Sequence, residues 1–160
     1  MKKNRDDVFI DSVLRPASFE DYVGQEKVKE NLKIILTAAR RRKEPVDHLL
    51  FFGQTGLGKT TLAHLVAKEM RADMKVTAGP ALKKAGDLAS VLSSLEPGDI
   101  LFVDECHRIN RMIEEIFYPA MEARKLHLVL GQGLGSRMIS LDLPPFTLIA
   151  ATTRLNLLSA

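Results

Sequence analysis

Apolar residues recur along this chain in two rhythms that take turns. Val28, Leu32, Ile35, Leu36 and Ala39 fall at helical spacing and predict a helix over residues 21–42, stopped by Glu44-Pro45. Residues 48–52 (HLLFF) are a short continuous apolar run, the pattern of a strand buried on both faces. A helix over 59–70 follows, then a weakly signalled strand over 74–77, a helix over 86–95 and a turn at Pro97-Gly98. Residues 100–103 (ILFV) repeat the buried-strand pattern, and 112–121 form a helix with Ile113, Ile116, Phe117 and Met121 on one side. Residues 126–130 and 137–143 alternate and are split by Gly131, Gly133 and Gly135, which predicts a hairpin. After Pro144-Pro145 comes FTLIAAT, the third strong strand. Strands alternating with helices predict an α/β fold built on a parallel sheet. No internal repeat, low-complexity tract or domain boundary interrupts the pattern.

Composition narrows the class. At 160 residues, 46% hydrophobic and 27% charged, the chain has one domain's worth of core. No run of 18 apolar residues exists to span a membrane. Residues 1–13 start basic with no apolar run behind them, so they read as a polar lead-in and not as a signal peptide. The single cysteine, Cys106, excludes an internal disulfide framework, fits a reducing cytosol and reads as a small buried filler. The charge of +3 permits an acidic partner without requiring one. Its densest cluster, Arg40-Arg41-Arg42-Lys43, reads as cations favoured at a helix C-terminus. With no tryptophan, two tyrosines and no basic face interleaved with aromatics, DNA binding by this chain alone is not expected.

Residues 53–60, GQTGLGKT, fit G-x-x-x-x-G-K-[ST] between a predicted strand and a predicted helix. Nucleotide phosphates concentrate negative charge at one spot. Gly53, Gly56 and Gly58 let backbone N–H groups turn inward with no Cβ in the way. The following helix aims its positive end at the same spot. Lys59 adds a full cation toward the β/γ-phosphates, the Thr60 hydroxyl is placed to ligate Mg²⁺, and Thr61 adds a phosphate contact. A glycine-rich turn without a ligand is the competing reading. A chance match in a chain this long is roughly a half-percent event, and this match has its strand and its helix.

The strand ILFV ends in Asp104 and Glu105, at the sheet edge where α/β folds bind ligands. Asp104 is the expected partner of Mg²⁺ opposite Thr60, and Glu105 the candidate to polarise an attacking water. Without the phosphate loop upstream, the pair would read as solvated strand-end acids. His107 reads equally as a switch or hydrogen bonder behind this pair and as a polar loop residue. Thr152 and Thr153 end the third strand at the same edge, where a hydroxyl can hold the water or touch the γ-phosphate.

Together these motifs resemble the bacterial RuvB family, AAA+ ATPase motors that drive Holliday-junction branch migration with RuvA. The resemblance is carried by Leu14-Arg15-Pro16, DYVGQEKVK, DHLLFFGQTGLGKTTLAH, AGPALKKAGDLA, LEPGDILFVDECHR, EEIFYPAMEA, GQG and LDLPPFTLIAATTR, from Leu14 to Arg154. It implies a partial AAA+ P-loop NTPase domain over residues 14–160, with a β-hairpin inserted before the last strand and sheet order 5-1-4-3-2. It implies ATP and ADP with Mg²⁺ as ligands. Leu14 and Arg15 would border the nucleotide, and Tyr22 and Val23 would sit against the adenine. Lys59, Asp104, Glu105 and the first sensor Thr153 would carry catalysis. The hairpin of residues 126–143 would dock RuvA. A homo-hexamer on junction DNA, an indirect link to RuvC and a cytoplasmic location are further implications.

This chain departs from the family pattern in places. Gln54-Thr55 stand where the family has two prolines, so the loop is less pre-organised. DECH replaces DEIH, and GLGSR replaces GPAAR in the hairpin. Glu122-Ala123-Arg124 stand where the family's nucleotide-adjacent segment has Glu-Asp-aromatic. In the family the arginine finger, fifth strand, helical lid and DNA-binding winged helix all follow the position of Ala160. Two expectations result: HLLFF becomes a sheet edge prone to self-association, and hydrolysis is weak, because an arginine finger supplies ~10³–10⁵ in rate. The alternatives are another AAA+ DNA-metabolism ATPase, of clamp-loader or RarA-like type, and a non-catalytic nucleotide-binding or partner-docking module. AGPALKKAGDLA and YPAME favour the RuvB resemblance.

Overall fold

A computed structural model describes residues 15–130 and 136–157. Helix α1 (Glu26–Arg42) starts five residues later than its apolar spacing predicts. Gly24 and Gln25 both have positive φ, +86° and +54°, a conformation through which a right-handed helix cannot propagate. Residues 40–42 form the last turn, as expected of cations near a helix C-terminus. Then come β1 (Leu49–Phe52), α2 (Lys59–Met70), β2 (Met74–Ala78), α3 (Ala85–Leu92), β3 (Ile100–Asp104), α4 (Arg111–Glu122), β4 (Lys125–Leu130), β5 (Arg137–Asp142) and β6 (Thr147–Thr152). Helix α3 ends three residues short of the predicted stop. There Ser94 Oγ donates to the Val91 carbonyl at 2.7 Å and closes the chain into a turn.

Four parallel strands form one sheet in the order β1-β6-β3-β2, and β4-β5 form a separate antiparallel hairpin. The hairpin pairs Lys125 with Asp142 at its base and Leu130 with Arg137 at its far end. The predicted turn glycines Gly131, Gly133 and Gly135 lie outside the described residues, as does the predicted lead-in. Buried Leu126 and Leu143 anchor the hairpin's base in the core.

The sheet's two faces carry two cores. Phe51, Ile100, Phe102, Ile149 and Ala151 face α1 and α2, meeting Leu32, Leu36, Leu62 and Val66. Leu101, Val103 and Leu148 face the other way, onto Leu88, Leu92, Ile113 and Phe117 of α3 and α4. Burying each of the larger apolar side chains among these contributes about 1.5–3 kcal/mol. His48 ties the two cores' lower ends together. Its Nδ1 accepts from the Leu148 N–H at 2.8 Å, so its Nε2 carries the proton, which points to the Met121 carbonyl at 3.3 Å.

One expectation fails at β1. Residues 48–52 read as a strand covered on both faces, but only Phe51 is buried, while Leu50 and Phe52 are about half exposed. Continuous hydrophobicity does not say whether a second layer reaches the strand. Among the described residues β1 is an edge, and α4 leaves an apolar groove of about 310 Å³ beside Leu50, Leu148, Ala150 and Met121. The edge itself agrees with the predicted strand order. An unpaired edge with apolar side chains templates association. The 160-residue chain is therefore expected to self-associate in sedimentation velocity, and Phe52→Lys to shift it toward monomer. A parent chain that sediments as a single monomer removes this expectation.

Candidate functional site

The residues singled out in the sequence converge on the carboxyl edge of the sheet. Three neighbouring strands deliver them: β1 leads into the glycine-rich loop, β6 ends at Thr152, and β3 ends at Asp104. The Gly53 N–H donates to the Thr152 carbonyl at 3.2 Å, which sews the loop's start to the end of β6.

The loop turns through Gly56 and Gly58 at φ +86° and +75°. Both values lie where side chains are strained, and a Cβ on Gly58 would also strike Tyr22. Helix α2 begins at Lys59 directly after Gly58, and the structure gives this start no side-chain cap. Its first N–H groups thus face the concavity of the loop. Lys59 Nζ donates to the Gly53 and Gln54 carbonyls at 2.8 and 2.9 Å, lying across the loop it follows. Thr60 and Thr61 occupy the first turn and are half-buried.

Tyr22 closes the site from the N-terminal side. Its hydroxyl donates to the Leu57 carbonyl at 3.1 Å. The segment holding it is braced from beneath by Lys29, a buried lysine whose Nζ donates to the Tyr22 carbonyl at 2.7 Å and pairs with Glu26. Sequence patterning gave no hint of this brace, since Lys29 falls within an ordinary run of helix charges. Val23 beside it projects almost wholly into solvent. Arg15 opens the described chain, and Leu14 lies outside it.

On the far side of β6, Asp104 Oδ1 accepts from the Glu105 N–H at 2.9 Å. Glu105 has φ +52°, a left-handed kink that turns the chain off the strand into a short 3₁₀ turn, Cys106–Arg108. Gly79 packs against the Glu105 carbonyl so closely that a Cβ there would collide with it. The Glu105 backbone is thereby fixed, while its side chain stays 38% exposed. Cys106 is buried, as expected, and burial pushes its thiol up to about 11. At pH 8 only about a thousandth of it is thiolate, rising tenfold per pH unit toward 11. Alkylation of the folded chain at pH 8 is expected to run roughly a hundredfold slower than after denaturation, by mass spectrometry. Equal rates would contradict the burial.

Thr152 is buried and Thr153 half-buried at the same edge. His107, whose role the sequence left open, reaches Thr152 Oγ1 with Nδ1 at 2.9 Å. Glu122, Ala123 and Arg124 are not brought to the loop within this chain. They sit at the C-terminal end of α4, beside Met121 and the His48 that precedes β1, at the opposite edge of the sheet.

The arrangement can hold a polyphosphate: N–H groups, a helix N-terminus and one lysine on one side, two carboxylates across from them. Among the described residues no three His, Cys, Asp or Glu side chains group as a metal cage. Thr60 and Asp104 suit a Mg²⁺ ion that keeps waters and takes phosphate oxygens as its other ligands.

A family model described as the Holliday junction DNA helicase RuvB P-loop domain matches residues 14–160. The chain is 57% identical over 147 residues to the Holliday junction branch migration complex subunit RuvB of Clostridium kluyveri, a match covering 92% of this chain and 42% of that protein. A solved single-substitution mutant of Thermotoga maritima RuvB superposes with a TM-score of 0.82 at 47% identity, over 92% of this chain and 45% of that one. The structure titled Thermotoga maritima RuvB Holliday junction branch migration motor does so with a TM-score of 0.79, also at 47% identity, over 92% and 44%. The chain spans less than half the length of these relatives.

Proposed function

This chain belongs to the RuvB N-terminal P-loop family, and on that premise we propose that it is the ATP-binding and ATP-hydrolysing core of a motor for Holliday-junction branch migration in DNA recombination and repair. The observation that carries the reading is the glycine-rich loop seated on an uncapped helix N-terminus, with Lys59 across it and Asp104 and Glu105 at the end of a neighbouring strand.

In this reading the N–H groups of residues 53–60 take the phosphate oxygens. Lys59 exchanges its two carbonyl partners for the β/γ-phosphates, a trade of neutral acceptors for charged ones. Thr61 adds a phosphate contact. Thr60 and Asp104 hold Mg²⁺, which when bound neutralises charge developing on the phosphates. Glu105 orients the attacking water, and the partial exposure of its carboxylate at the strand's end supports that role. Thr153 meets the γ-phosphate at the end of β6. Tyr22 and Val23 line the adenine, with Leu14 and Arg15 at the rim. Glu122, Ala123 and Arg124 reach a nucleotide only across a subunit boundary, which suits a homo-hexamer around junction DNA.

The hairpin docks RuvA, supported by its exposed apolar pair Val129 and Met138, which sit opposite each other in register. RuvC is linked indirectly, and the motor works in the cytoplasm.

Calorimetric titration with Mg²⁺-ADP and Mg²⁺-ATP, with turnover followed in parallel, tests the proposal. Saturable binding of both is expected. Absence of binding by folded chain overturns it.

A further inference from the structure

At the carboxyl edge, His107 is a buried titratable side chain, beside the Cys106 thiol, to which the proposed reaction gives no task. Its side chain is 6% exposed, with Nδ1 2.9 Å from Thr152 Oγ1 and Nε2 3.7 Å from Glu105 Oε2. It therefore spans the gap between the ends of β3 and β6. Thr152 is itself buried, and its Oγ1 accepts from the Arg154 N–H at 2.9 Å and lies 3.3 Å from the Arg154 carbonyl.

These contacts constrain the protons. A threonine hydroxyl has one proton and two lone pairs, and the Arg154 N–H uses one lone pair. The proton then goes either to His107 Nδ1 or to the Arg154 carbonyl. In the second arrangement a neutral His107 donates from Nδ1 and turns a bare Nε2 lone pair toward the Glu105 carboxylate, which repels it. In the first, Nδ1 accepts, Nε2 carries the ring proton, and that proton faces Glu105. The shorter distance to Nδ1 and the charge of Glu105 both select the first arrangement.

We propose that His107 is a positioning residue: its protonated Nε2 tethers Glu105 in one rotamer, and its Nδ1 couples that tether to Thr152, one residue before Thr153. This rests on the proposed roles of Glu105 and Thr153. At 3.7 Å the tether is loose. A small rotation of the Glu105 side chain closes it into a hydrogen bond, and the opposite rotation releases the carboxylate toward the attacking water. The Glu105 backbone does not take part, being fixed by Gly79.

The ring protons are read directly by long-range ¹H–¹⁵N spectra of the histidine-labelled 160-residue chain without nucleotide. The expected His107 has Nε2 protonated and Nδ1 bare. Glu105→Gln is expected to move the Nε2 signal of His107, and Thr152→Val its Nδ1 signal, with His48 and His127 unchanged in both. A His107 protonated on Nδ1 and indifferent to Glu105→Gln overturns the proposal, since the ring then only braces Thr152. In parallel, His107→Asn keeps a partner for Thr152 but not the reach to Glu105. It is expected to lower turnover about tenfold with the KM for ATP changed by no more than about twofold, and His107→Gln to recover part of the loss. Parental turnover in His107→Asn, or a loss confined to KM, overturns it as well. Failure of nucleotide binding in calorimetry sinks the ATPase reading instead, and the ring spectra, taken without nucleotide, still decide the His107–Glu105 contact.

Discussion

Lys59→Ala is expected to leave a folded chain that no longer binds Mg²⁺-ADP or Mg²⁺-ATP measurably in calorimetry. The expectation rests on what Lys59 touches. Among the described residues its hydrogen-bond partners are the Gly53 and Gln54 carbonyls. Without the ammonium those carbonyls turn to water, so the thermal midpoint is expected to move by a few degrees at most. The nucleotide has no such substitute. A hydrogen bond to a charged group is worth about 1.5–3 kcal/mol, and one ammonium reaching two phosphates makes at least two. That is a loss of roughly a hundredfold or more in affinity. Lys59→Arg is not expected to rescue, because a planar fork does not fit a position built for a point charge between two loop carbonyls. Binding by Lys59→Ala as tight as the parent's would mean that the loop is a turn and not a phosphate cradle.

Glu105→Gln separates chemistry from binding. The two side chains share a shape, and the left-handed backbone at residue 105 strains both equally. Binding is therefore expected to survive, and to tighten slightly as a negative charge leaves the neighbourhood of the phosphates. Turnover is expected to fall by ~10²–10⁴ in a single-turnover assay with the chain in excess, the range for losing a positioned base. If turnover stays near the parent's, the water is oriented by another group, and positioning of Glu105 by His107 has no catalytic consequence.

Most of the fold could be read from the chain. Short apolar runs alternating with helical spacing gave the strands and helices of a parallel sheet, because a strand covered by helices must be apolar. The hairpin was readable because period-two alternation survives wherever one face meets solvent. Boundaries were read less well. The start of α1 is decided by the φ angles of Gly24 and Gln25, and Gln25 carries no residue-type signal for a left-handed turn. The exposure of Leu50 and Phe52 depends on which layers reach β1, and a hydrophobic run looks the same with or without a cover.

The site divides along the same line. The loop, the lysine, the acid pair and the threonines could each be singled out in the sequence, because each lies on a short segment where a strand ends and the chain turns. Sequence also determined the family, through motifs spread over most of the chain. Only the tertiary structure decided how these pieces meet. Tyr22 lies on Leu57, Gly53 is bonded to Thr152, and His107 bridges Thr152 and Glu105 across 45 residues of chain. It also placed Glu122, Ala123 and Arg124 at the C-terminal end of α4, near His48. The physical reason is that each of these relations runs between different strands or helices. Strand order and register set them, and no local pattern of residues encodes a distance between two strands.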